Sequence, residues 1–180
     1  MRPPTRILGF VGIFAALTAA VSQLVPAWAQ TTGAAAQGDV IGLYLSGRVA
    51  TEHVNPATDA WTGDLVSLAT GEAVGTLRHE ITCHDVTSLP CIVFKAKDTF
   101  NLPGGTIVSE GTESVAPYAG AEPGIFHVGI HPQSNSITSA TGVFAGRTGR
   151  AQLLARHDGR EYPAHVTFDD FWLIRLDPEG

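Results

Sequence analysis

From residue 39 onward a turn signal recurs about every 8–12 residues, and no apolar pattern of helical period runs longer than about ten. Chain punctuated this often has room for short strands and little else. Strand-like runs fall at 40–54, 62–69, 73–84, 91–100, 105–115, 124–131, 134–141, 149–157 and 161–175. Between them lie "NPATD", "TGE", "DVTSLP", "NLPGG", "PYAGAEPG", "HPQSN", "GVFAGRTG" and "HDGRE". Each holds Gly, Pro, Asn or Asp, which turn the chain through positive φ, fixed φ or side-chain capping. Many short strands with short connections predict an all-β antiparallel sandwich or barrel. No repeat of 20–50 residues is visible.

The first 29 residues read as a secretory signal. Arg2 and Arg6 supply a positive start, "ILGFVGIFAALTAAV" an apolar stretch, and Ala27-Trp28-Ala29 a small-x-small cleavage site that leaves Gln30 first. Ser22, Gln23 and Pro26 interrupt the apolar run, so no stable membrane anchor is expected after cleavage. Residues 30–38 lack bulk and periodicity and read as a flexible lead-in. Residues 39–180 then form a single β-barrel or sandwich domain, large enough for a real core. The whole chain carries 11 basic against 17 acidic residues. Loss of Arg2 and Arg6 takes the net charge to about −8, with no basic cluster, which argues against nucleic acid as a partner.

Both cysteines lie in "RHEITCHDVTSLPCIVF", residues 78–94. A hairpin centred on Thr87 sets Cys83 opposite Cys91, Thr82 opposite Ile92 and Glu80 opposite Phe94. Facing residues at about 4.5–5.5 Å between Cα atoms suit a disulfide, and an oxidising destination favours one. A zinc site wants closer pairs, C-x2–4-C or H-x3–5-H, and a Cys83 thiolate with His79 or His84 as base would need a reduced thiol outside the cell. The disulfide is the expected reading, with no metal site and no cofactor.

Three stretches resemble the allene oxide cyclase-like β-barrel family, which is related to the dirigent proteins. They are "TGDLVSLATGEAVGTLRHEITC" (62–83), "GGTIVSEG" (104–111) and "SATGVFAGRTGRAQL" (139–153). The resemblance implies an eight-stranded antiparallel barrel of calycin type, with a lumen for a small hydrophobic, lipid- or polyketide-like molecule. It implies a secreted protein acting as a cofactor-free cyclase or isomerase, or as a non-catalytic dirigent-like binding or guiding protein. Related barrels form dimers or trimers, so a homo-oligomer is among the partners the resemblance allows. The plant cyclases continue G-D-L-V with Pro, Phe, Thr and Asn. Ser67, Leu68, Ala69 and Thr70 stand here instead, so no catalytic residue carries over.

Alternate side chains of a small barrel face its lumen. Lys95 and Lys97 carry hydrated heads and are expected outside. In the Thr87-centred register their face includes His79, and the lumen receives Arg78, Glu80, Phe94 and Asp98. Glu80 beside Arg78 is the candidate catalytic pair, able to orient a carbonyl or move a proton. In the last strand Phe168, Asp170 and Trp172 share one parity and complete the candidate ligand-binding lumen. His127 and His131 share a face without an evident third ligand, and no G-x-S-x-G elbow is present.

Overall fold

The computed structural model describes residues 38–82, 93–130 and 135–178. Cys83, Cys91, His131 and residues 1–29 lie outside the described residues. The strands are β1 (Val40–Ala50), β2 (Glu52–Asn55), β3 (Thr58–Ser67), β4 (Ala73–Thr82), β5 (Val93–Leu102), β6 (Gly105–Pro117), β7 (Ile125–Ile130), β8 (Ser136–Ala140), β9 (Gly149–Asp158) and β10 (His165–Leu176). All pair antiparallel, in the order β1-β10-β9-β7-β6-β5-β4-β3-β2, and β1 also pairs with β3. That last pairing closes the sheet. β1 and β2 share one flank of β3, and β7 and β8 share the place between β6 and β9, so the ring is an eight-stranded barrel. Closure removes the sheet edges that would otherwise invite pairing with another chain.

The turns follow the residues that force them. Gly142 opens a short 3-10 turn, Gly142–Phe144, at φ 61°. A Cβ there would stand 1.8 Å from the Gly104 carbonyl oxygen. Only glycine meets both demands. This pins the "TGVFAGRTG" loop to the β5–β6 turn, and Phe144 packs from it against the core.

Along β9, Ala151, Leu153, Ala155 and His157 are buried while their neighbours face water. β10 does the same with Val166, Phe168, Asp170, Trp172, Ile174 and Leu176. The inward set lines the barrel interior. Trp172 packs edge-on against Phe100 at 5.1 Å between ring centres, a favoured aromatic geometry. Among the described residues no helix is long and apolar enough to cross a membrane.

The register of β4 against β5 departs from the Thr87-centred hairpin. Thr82 faces Lys95, and Glu80 faces Lys97 rather than Phe94. The shift is three residues. An odd shift exchanges the two faces of one strand relative to the other. β5 keeps the expected faces: Phe94, Ala96, Asp98 and Phe100 are buried, and Lys95 and Lys97 are exposed. β4 is reversed, with Leu77 and His79 buried. Its own composition explains this, because Leu77 and Ile81 share the parity of His79 and gain most from burial.

Candidate functional site

Barrel register builds one row of side chains across four strands. Trp61 on β3 stands opposite His79 on β4, His79 opposite Asp98 on β5, and Asp98 opposite Ser109 on β6. All four point inward and are buried. The His79 Nδ1–H donates to Asp98 Oδ1 at 2.5 Å. Asp98 Oδ2 accepts from Ser109 Oγ at 3.2 Å and from Asn135 Nδ2 at 3.4 Å. Asp98 is thus fully engaged, and it fixes the ring so that Nε2 is turned away from it. Charge-assisted bonds of this kind orient a histidine firmly.

Glu113 is four residues beyond Ser109 on β6, between Phe94 and Ile130 on the neighbouring strands. Its Oε2 is 3.6 Å from His79 Nε2, beyond hydrogen-bond length. Neither Glu113 oxygen nor His79 Nε2 has a hydrogen-bond partner among the described residues, and Glu113 is 0% exposed. Such groups cost about 1–3 kcal/mol each when left unmade. Burial holds the Glu113 carboxyl up at about 8, against the pull of His79 and with the push of the Asp98 and Asp170 charges. Burial alone would lower His79. The Glu113 and Asp98 carboxylates and the bond to Asp98 outweigh it and raise His79 to about 9. Both groups are thus held protonated to higher pH than usual, face to face beside aromatic rings.

A second buried pair lies close by. His157 Nε2–H donates to Asp170 Oδ1 at 2.9 Å, with His157 packed against Trp61 and Phe168. Trp61 covers the His79 ring at 4.5 Å between centres, and Trp172 approaches it edge-on at 6.3 Å.

His79, Asp98 and Glu113 each offer a ligand atom within 4.8 Å of the others, so the trio could approach a metal ion. Asp98, however, already bonds His79, Ser109 and Asn135. Only His79 Nε2 and the Glu113 carboxylate stay available, two ligands where a protein zinc site supplies three or four. The arrangement fits proton transfer better than metal binding.

The residues named from sequence divide in two. Phe94, Asp98, Phe168, Asp170 and Trp172 all lie in the barrel interior, at most 5% exposed. Arg78 and Glu80 lie on the outer face. Arg78 donates to Glu52 at 2.7 Å and to Glu80 at 3.3 Å, and Lys97 is 3.8 Å from Glu80. Glu80 lines a surface groove of about 570 Å³ with Thr82, Lys95 and Lys97, and neither His79 nor Glu113 reaches it. The pair is an external ion cluster, separated from the lumen chemistry by the β4 wall. His127 is exposed and stacks on Tyr118 at 4.0 Å.

Sequence reasoning set His79 on the outer face and did not single out Glu113, Trp61 or His157. A usable signal existed for Glu113, which shares the parity of Ile107 and Val115, so a charge stands on the apolar side of its strand.

No family model matches the chain, and no curated protein matches it by sequence. Similar solved structures exist. A pyocyanin demethylase is 19% identical, over 77% of this chain and 99% of that one, with a TM-score of 0.40. A nonspecific heme-binding cyclase, which catalyses a 4 + 2 cycloaddition in neoabyssomicin biosynthesis, is 16% identical over 92% and 81%, with a TM-score of 0.42. A pterocarpan synthase dirigent protein is 11% identical over 83% and 98%, with a TM-score of 0.43. The neighbours include a cyclase and a dirigent protein.

Proposed function

We propose that the barrel binds a small, flat, hydrophobic molecule in its lumen and rearranges it by proton transfer, as a cofactor-free isomerase or cyclase. The observation that carries this is the buried face-off of His79 Nε2 and Glu113, 3.6 Å apart, each without a hydrogen-bond partner among the described residues. Glu113 acts as the base and the His79 imidazolium as the acid. Asp98 keeps that imidazole oriented and charged. Trp61, Trp172 and Phe100 exclude water and give the ligand flat apolar walls, so that binding itself selects a reactive shape.

The test is direct. A panel of conjugated ketones and fatty-acid derivatives is screened by quenching of tryptophan fluorescence. Binders are then incubated in D2O and recovered for mass spectrometry. Deuterium uptake or a rearranged product is expected from the wild type and not from His79→Ala. Recovery of every binder unchanged and undeuterated leaves a guiding protein and removes the enzyme.

Export belongs to the same proposal. The intact mass of the protein collected outside the cell should match a chain that starts at Gln30. It should rise by two hydrogens on reduction, as Cys83–Cys91 requires. A full-length mass, or two thiols before reduction, counts against it.

A further inference from the structure

The lumen holds two more unmatched atoms. The indole Nε1–H groups of Trp61 and Trp172 are buried and have no acceptor among the described residues. An indole nitrogen only donates, and buried tryptophans usually find it a partner. As wall material alone, phenylalanine would serve without that cost. Both indoles flank the same imidazole, Trp61 across the β3–β4 ladder and Trp172 from β10. Two neutral donors are therefore carried by rings packed around that imidazole.

The charges nearby restrict what those donors can hold. Asp98, Glu113 and Asp170 are buried in the lumen, and no Lys or Arg is buried with them among the described residues. A carboxylate or phosphate entering there would meet three carboxyl groups against one cation, the His79 imidazolium, which Asp98 already holds. A neutral carbonyl oxygen meets no such penalty. It accepts from N–H groups when neutral and accepts more strongly once it gains charge.

We propose that the substrate class is an enolisable, unsaturated ketone, and that Trp61 and Trp172 donate to its oxygen as charge develops there. This rests on the proton-transfer reading above and adds its substrate. Glu113 takes a proton from the carbon next to the carbonyl. The C–H pair becomes a C=C bond, and the carbonyl π pair moves to oxygen, held by the two indoles. The His79 imidazolium gives a proton to the far end of the conjugated system, and Glu113 passes the proton it took back to His79 Nε2, so the double bond shifts and nothing is oxidised or reduced.

Two probes separate the layers. Phenols of graded acidity, with 4-nitrophenol as reporter, mimic the charged oxygen without any carbon chemistry. Cyclohex-3-en-1-one reports double-bond migration by ultraviolet absorbance. Glu113→Gln, which removes the facing carboxyl and keeps the His79 imidazolium, should bind 4-nitrophenol with the spectrum of its phenolate, and more tightly than wild type above pH 8. Trp61→Phe and Trp172→Phe keep the ring and lose the donor, and each should weaken phenolate binding about 10-fold, with little change for toluene. Either variant suffices should the other not fold. Absence of phenol binding, affinity indifferent to phenol acidity, or equal binding by the Phe variants overturns the oxyanion site. Phenolate binding that survives while Glu113→Gln moves the cyclohexenone double bond as fast as wild type leaves the oxyanion site standing and removes the proton-transfer reading.

Discussion

Glu113→Gln is expected to lower turnover of a lumen substrate by about 10²–10⁴, the usual contribution of a positioned acid or base. Glutamine matches the carboxyl in size, so ligand affinity should change far less than rate. The wild-type rate should follow a bell in pH. It rises as Glu113 ionises through about 8 and falls as His79 loses its proton through about 9. In Glu113→Gln the rising limb disappears. A wild-type rate with no rising limb through about 8, or a variant as fast as wild type, removes Glu113 from the chemistry, and a rate that keeps rising to pH 10 removes His79.

The largest stability effect is expected at Asp98. Asp98→Ala takes away the bond to His79 and the acceptor that Ser109 and Asn135 share. Removing one partner of a buried charge pair costs about 3–5 kcal/mol. The effect should depend on pH in a definite sense. His79 is raised from 6.5 to about 9, so its contribution is complete below pH 6.5 and lost as pH climbs through 9. Glu113, raised from 4.5 to about 8, adds a loss of the same sign as pH rises through 8. Wild-type urea midpoints should therefore fall from pH 6.5 to 9. In Asp98→Ala that fall should be smaller, because His79 has lost one of the carboxylates that keep it charged. A steeper fall in the variant would contradict the role given to Asp98.

Strands and lumen differed in how plainly the sequence wrote them. Turn chemistry is local, so "NLPGG" and "TGVFAGRTG" marked their turns without knowledge of the rest. Parity was equally plain where one strand held decisive residues. Lys95 and Lys97 pushed outward and set Phe94 and Asp98 inside, and Phe168, Asp170 and Trp172 followed one another down β10. What failed was the relation between two strands. The register of β4 on β5 depends on how the 83–92 connection is spent, and a hairpin assumed symmetric about Thr87 moved Arg78 and Glu80 inward and His79 out. Leu77 and Ile81, read on β4 alone, would have corrected it. Trp61 escaped because Asp59 looked like turn rather than strand, whereas β3 begins at Thr58.

The row from Trp61 through His79 and Asp98 to Ser109 also sets when the site can exist. Its members arrive on four different strands, and three successive ladders must be in step before they meet. No single hairpin carries the arrangement in miniature. The row therefore works as a proofreading mark on assembly: a chain that closes one residue out of step can be compact and full of strand yet chemically blank.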